Sequence, residues 1–285
     1  MKINFTKMHG CGNDYIFIYC GDNEIKSPDT LSIYLSDRHT GIGGDGVVLI
    51  MRSKTADAKM RMYNSDGSEG LMCGNAIRCV AKYLYDNAIV RKTFMRIDTQ
   101  SGVRELWLEI ENGMVSHVRV DMGRAELAPS RIPVRLPGDS VISRRVNISG
   151  TEYAITCVSM GNPHAVVFCG DASGIGGLEN LDLRAIGPLF EHNELFPDRV
   201  NLELVDVVSR SNIRLRVWER GSGETLACGT GACAAAVAAV INGFCDIDGD
   251  IYVQLLGGEL VVSYTGETVF LTGGCVKVFD GAIDI

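Results

Sequence analysis

One stretch of this chain occurs twice, and that repeat limits the fold more than any other feature. Residues 63–74 read YNSDGSEGLMCG and residues 218–229 read WERGSGETLACG. Shifted by 155 positions, Tyr63 falls on Trp218, Asn64 on Glu219, Glu69 on Glu224, Leu71 on Leu226, Cys73 on Cys228 and Gly74 on Gly229. Each copy runs from a strand through a polar turn into Glu-x-Leu-x-Cys-Gly and then an apolar, small-residue run of helical character. A duplicated unit of this kind predicts two related halves facing one another, which would bring two thiols to one cleft.

The 285 residues are enough for two domains that each bury a core. A formal net charge of −8 argues against nucleic acid or an anionic membrane as partner. No apolar run is long enough to span a bilayer. The N-terminus MKINFTKMHG lacks the apolar core of a secretory signal, so the expected location is cytoplasmic. The ten cysteines are scattered, with no C-x-x-C and no paired Cys/His spacing, and the expectation is no metal and no disulfide scaffold. Most of them read as small core residues.

Along the chain, INFTKMH and YIFIY read as strands about the turn Gly10–Asp14. Ser27-Pro28 reads as an N-cap and first helical position. GIGGDG at 41–46 formally fits a dinucleotide fingerprint, but VVLIM after it is a strand, so no helix N-terminus awaits a pyrophosphate. GNAIRCVAKYLYD keeps Ala76, Ile77, Val80, Ala81 and Leu84 on one helical face. Residues 123–140, rich in proline and without a clean period, read as the linker. The second half repeats the plan, and GTGACAAAVAAVIN, apolar nearly all round, has to be buried. The expected fold is α+β: two pseudo-symmetric domains, each a mostly antiparallel curved sheet or barrel around a central helix. Their expected limits are 1–122 and 123–273, with 274–285 packing back onto the first.

A cysteine at a helix N-terminus meets unpaired N–H groups and the positive end of the helix dipole, and both favour thiolate. The same N–H groups can hold a carboxylate. One thiolate that removes the α-proton of an amino acid, with one thiol returning a proton to the opposite face, inverts the stereocentre without redox change. Backbone donors at the carboxylate would stabilise the enolate-like charge. No lysine context points to pyridoxal phosphate, so no cofactor is expected.

HGCGNDY (9–15), YNSDGSE (63–69), MCGNAIRC (72–79), SMGNPHAV (159–166), RVN (199–201) and WERGSGETLACGTGACA (218–234) together resemble the diaminopimelate epimerase family, in its order and spacing over nearly the whole chain. The resemblance implies conversion of LL- to meso-2,6-diaminopimelate, in lysine and peptidoglycan precursor synthesis, without pyridoxal phosphate. It also implies a cleft that closes over substrate and a homodimer. By position it implies catalytic thiols at Cys73 and Cys228, and carboxylate-holding backbone at Gly74-Asn75 and Gly229-Thr230. Asn13, Asn64, Asn162, Asn201, Glu219 and Arg220 match residues that bind the distal amino-acid end or line the site. His164 matches a histidine close to one thiol. Gly46 departs from the family, many of whose members carry glutamine there.

Blander roles stand beside these. Asn13 and Asn162 follow glycine and suit turns, Asn64 and Asn201 suit strand ends, and Glu219-Arg220 suits a solvated pair. His164 suits a satisfied core histidine. Three rival functions also remain: a cofactor-independent histidine or proline racemase, a thiol redox protein, and a non-catalytic amino-acid-binding protein. Asn64, Asn201 and Arg220 together favour a substrate with a second amino-acid end. The lack of C-x-x-C weighs against a dedicated redox protein.

Overall fold

Two helices of equal length each follow a cysteine, and each packs against strands of its own unit. In the computed structural model, which describes residues 2–170, 175 and 177–285, α2 runs Gly74–Asp86 and α4 runs Gly229–Ile241. Cys73 and Cys228 are their N-caps, both with extended backbone. The two helices are buried for different reasons. α2 is amphipathic, with Ala76, Ile77, Val80, Ala81 and Leu84 inside. In α4, the Ala232–Ala239 segment is wholly buried, because it has no polar face to offer water. α4 ends where Gly243 takes a positive φ of 77° and the Phe244 N–H returns to the Ala239 carbonyl.

The chain divides into two units, Met1–Asp121 with Thr272–Ile285, and Met122–Leu271. The first holds β1 (Lys2–Gly10), β2 (Asn13–Gly21), α1 (Pro28–Ser36), β3 (Gly46–Met51), β4 (Ala58–Asn64), β5 (Glu69–Gly70), α2, β6 (Phe94–Thr99), β7 (Gly102–Glu111), β8 (Met114–Arg124) and β18 (Val276–Asp284). Its strands pair in the order β18-β1-β2-β3-β4-β6-β7-β8, antiparallel except for β2–β3 and β4–β6. α2 packs on β1, β2 and β7.

The second unit holds β9 (Arg144–Ile148), β10 (Thr151–Ser159), β11 (Pro163–Phe168), α3 (Leu183–Glu191), β12 (Asn201–Ser209), β13 (Asn212–Glu219), β14 (Gly223–Thr225), α4, β15 (Asp250–Leu255) and β16 (Gly258–Tyr264), with β17 (Thr268–Gly274) following. The order β9-β10-β11-β12-β13-β15-β16 is again antiparallel except for two pairs, β11–β12 and β13–β15. These are the counterparts of β2–β3 and β4–β6. β18 stands beside β1 as β9 stands beside β10.

The repeat extends to single contacts. Tyr63 pairs with Glu69 across β4 and β5, and Trp218 with Glu224 across β13 and β14. Arg61 Nε donates to Glu69 at 2.7 Å, and Arg216 Nε to Glu224 at 2.8 Å. The repeated glutamate is thus the carboxylate that ties down the short strand leading to each cysteine.

Two local expectations need correction. Ser27 precedes α1 with a positive φ of 52° and makes no side-chain cap; Pro28 alone sets the helix start. Residues 123–140 are packed chain rather than loose linker. Glu126 bridges to Ser159, and Ile132 and Val134 are buried in the second core with Phe190 and Leu202. The prolines fix a covering segment whose apolar side chains are too widely spaced to show a period.

Candidate active site

In the first unit, Cys73 is half-buried at the start of α2. Its Sγ donates to Asn13 Oδ1 at 3.5 Å, and Asn75 Nδ2 donates to the same oxygen at 3.3 Å. Asn13 is fixed from its other side, because Nδ2 donates to Asp45 Oδ2 at 2.7 Å. Asp45 sits in the GIGGDG loop, whose role is therefore to hold the Asn13 turn. Arg38 binds both Asp14 and Asp45, and Lys7 binds Asp14 at 2.6 Å.

Arg78, one turn into α2, is fully buried. It donates to the Gly74 carbonyl and to Asn75 Oδ1, each at 3.0 Å, and no carboxylate pairs with it among the described residues. A buried cation held by neutral oxygens adds positive potential at the end of the helix where the dipole is already positive. It also fixes the Asn75 amide, and through it Asn13.

Gly46 is buried opposite Asn64, and a Cβ there would lie 2.1 Å from the Tyr63 carbonyl oxygen. β3 and β4 approach too closely at this point for any side chain. Asn64 turns to its own loop, where Nδ2 donates to Ser68 Oγ at 3.0 Å.

In the second unit Cys228 is 6% exposed. Its Sγ accepts the Gly231 N–H at 3.3 Å, so the sulfur caps its own helix, and it lies 3.4 Å from Thr230 Oγ1. Burial pushes this thiol well above its ordinary pKa, followed by the charge of Glu219; the Thr230 and Gly231 hydrogen bonds pull the other way. Asn162 Nδ2 donates to Thr230 Oγ1 at 3.2 Å, and Asn162 Oδ1 lies 3.0 Å from His164 Nε2. His164 Nδ1 meets Glu203 Oε1 at 2.7 Å, and neither residue is accessible to solvent.

Asn201 Oδ1 accepts the Arg220 N–H at 2.7 Å, Arg220 Nη1 donates to the Asp198 carbonyl, and Thr225 Oγ1 donates to Glu219. Thus Asn13, Cys73 and Asn75 form one hydrogen-bonded group, while Asn162, His164, Asn201, Cys228 and Thr230 form another. Glu219 and Arg220 are fixed to the turns beside the second group, and Asn64 lies in its own turn.

Three further residues were absent from the sequence reading: Arg78, Asp45 and Glu203. Glu203 was findable, because the repeat aligns it with Val48. A carboxylate where the copy has valine, inside the apolar strand RVNLELV, asks for an explanation. Among the described residues no cluster of three or more His, Cys, Asp or Glu is arranged to hold a metal.

Solved structures first define the class. The chain matches a hydroxyproline epimerase from Agrobacterium vitis with a TM-score of 0.70 at 14% identity, over 99% of this chain and 91% of that one. It matches a phenazine biosynthesis protein of the PhzF family from Bacillus anthracis with a TM-score of 0.69 at 14% identity, over 100% of both chains. At such identity the likeness defines the fold alone, an α+β architecture that the solved epimerase shares.

Sequence narrows the class. The family model described as diaminopimelate epimerase matches residues 5–128 and 156–278. A diaminopimelate epimerase from Acetivibrio thermocellus is 48% identical over 285 residues, covering 99% of each chain. One from Desulfovibrio desulfuricans is 50% identical over 289 residues, covering 99% of this chain and 98% of that one. The chain belongs to the diaminopimelate epimerase family.

Proposed function

We propose that this protein interconverts LL- and meso-2,6-diaminopimelate by inversion at one α-carbon, with Cys73 and Cys228 as the acid/base pair and no pyridoxal phosphate. The observation that carries this reading is a family member in which each of two equivalent helices is capped by a cysteine. Inversion needs one group to take the α-proton and a second to return one to the other face. A single base returning its own proton would regenerate the starting isomer. The first turns of α2 and α4, at Gly74-Asn75 and Gly229-Thr230, carry N–H groups suited to a carboxylate that becomes enolate-like.

Asn13, Asn64, Asn162, Asn201, Glu219 and Arg220 are assigned to the substrate's distal end and its surroundings. Arg220 suits a carboxylate and Glu219 an ammonium. His164 reaches Cys228 through Asn162 and Thr230, which supports an assisting role at that thiol.

A homodimer is part of the proposal. β18 pairs along β1, yet Val276, Val278 and Phe279 are 49%, 55% and 45% exposed, an apolar strand suited to burial against a second copy. No helix of the described chain is long and apolar enough to cross a membrane, and the acidic chain suits a cytoplasmic enzyme acting on a small molecule.

Purified, reduced protein without added pyridoxal phosphate is incubated with LL-diaminopimelate, L-histidine and L-proline separately, and the isomers are resolved chromatographically. Formation of the meso isomer from the first alone is expected. Inversion of histidine or proline instead would keep the chemistry and replace the substrate.

A further inference from the structure

The hydrogen-bond partners around His164 favour one place for its proton. Asn201 Oδ1 is committed to the Arg220 N–H, so its Nδ2 faces His164 Nδ1, at 3.4 Å, as a donor. A donor facing Nδ1 favours a lone pair there over a second N–H. On the other side, Asn162 Nδ2 is committed to Thr230, so its Oδ1 faces His164 Nε2 as an acceptor. Nε2 must then carry the hydrogen. Both contacts fit an imidazole with its hydrogen on Nε2 and its lone pair on Nδ1. In that arrangement Glu203 Oε1, 2.7 Å from Nδ1, makes its contact by donating, as a protonated carboxyl.

The burial of Glu203 agrees with this. Glu203 is wholly buried, and its Oε2 has no hydrogen-bond partner among the described residues, an arrangement far less costly for a neutral acid than for a carboxylate. Burial also raises the Glu203 pKa, against the opposing pull of His164.

The contacts run on to the thiol. Asn162 already occupies one lone pair of Thr230 Oγ1, leaving the hydroxyl hydrogen for Cys228 Sγ at 3.4 Å. Together with the Gly231 N–H, this gives the sulfur two donors when it has surrendered its proton. The first repeat carries different residues at these positions. By strand register, Tyr15 stands for His164, Gly46 for Asn201 and Val48 for Glu203, and by helix position Ala76 stands for Gly231.

We infer that Glu203 is a positioning residue for Cys228: as a neutral acid it donates to His164 Nδ1 and so sets the direction of the hydrogen-bond chain through Asn162 and Thr230 to the sulfur. Without that donor only the Asn201 amide, at 3.4 Å, still opposes a proton on Nδ1. With the proton there, Asn162 would turn its amide, and Thr230 would donate to Asn162 instead of Cys228. The inference rests on the epimerase reading for its kinetic arm only.

The test compares Glu203→Gln, whose amide N–H can replace the acid proton, with Glu203→Val, the residue of the first repeat. Glu203→Gln is expected to keep kcat within about twofold, while Glu203→Val lowers it about tenfold with KM little changed, as loss of one hydrogen bond to a developing charge does. In parallel, ¹⁵N NMR of the His164 ring, assigned by the signal missing from His164→Gln, reads the tautomer without any substrate. The Nε2–H pattern should appear in the native protein and in Glu203→Gln and be lost in Glu203→Val. A Glu203→Gln variant as impaired as Glu203→Val would overturn the inference, because an ionised carboxylate would then be required. So would a Glu203→Val variant with native kcat and an unchanged His164 pattern. Native protein inactive on diaminopimelate would remove the epimerase reading and leave the NMR pattern to decide the hydrogen-bond chain.

Discussion

Gly231 is the residue through which the second site can be tested most sharply, because helix propensity and packing disagree there about the sign of an alanine substitution. Gly231 lies in the first turn of α4, and alanine in a helix is favoured over glycine by about 0.5–1 kcal/mol. A Cβ at 231, however, would lie 2.8 Å from Glu203 Oε1 and 3.3 Å from Cys228 Sγ. Ordinary carbon contacts run about 3.5–4.0 Å, so the first is about 0.7 Å short. Neither neighbour can give way freely: Glu203 is sealed in the core against His164, and the sulfur caps the helix. Overpacking of this kind costs about 1–3 kcal/mol, and disturbing the Glu203–His164 bond adds about 1 kcal/mol. Packing wins, and Gly231→Ala should be less stable by about 2 kcal/mol, or about 4–8 °C in Tm for a unit of this size. The first repeat carries the compensated pair, Val48 with Ala76. Adding Glu203→Val to Gly231→Ala should therefore recover most of the loss, although Glu203→Val alone gains little. Thermal melting of the native protein, both single variants and the double variant closes the cycle. Additive effects, or a Gly231→Ala variant as stable as the native protein, would refute the reasoning.

Two further outcomes follow from the first unit. Burial raises the Asp14 pKa, but hydrogen bonds and charge from Arg38 and Lys7 outweigh it, so the folded value is lowered from 3.8. A lowered folded pKa stabilises above the unfolded value and ceases to do so as pH falls through the folded one. Asp14→Asn should accordingly be less stable than the native protein at neutral pH, with the gap closing as pH falls below the unfolded value and through the lowered folded one; a gap unchanged at acid pH would contradict this. Gly46→Gln should melt lower and yield less folded protein, because the Tyr63 carbonyl occupies the Cβ position, and an undiminished Tm would show that β3 and β4 separate easily.

Much of this architecture was legible because the chain writes it twice. The offset of 155 that aligns Cys73 with Cys228 also aligns Arg61 with Arg216 and α2 with α4. Period and composition placed the helices: one apolar face for α2, apolar residues all round for α4. What stayed hidden depends on contacts distant in sequence. Arg78 looks like an ordinary helix arginine until the sheet closes over it. Ser27 has the right side chain for a cap and the wrong backbone. Residues 123–140 read as linker because Ile132 and Val134 are separated by proline and charge, yet both reach the core. Glu203 shows the limit of matching alike residues between repeats, since its meaning lies in the difference from Val48.

The central claim is that two thiols share one inversion. Proton NMR of LL-diaminopimelate with the reduced protein in deuterated water tests it most directly, run on native protein, Cys73→Ala and Cys228→Ala. Native protein should remove the α-proton signal as the meso isomer accumulates, and neither alanine variant should form that isomer. Continued inversion by either variant would contradict the account, because a single remaining thiol cannot serve both faces of the α-carbon.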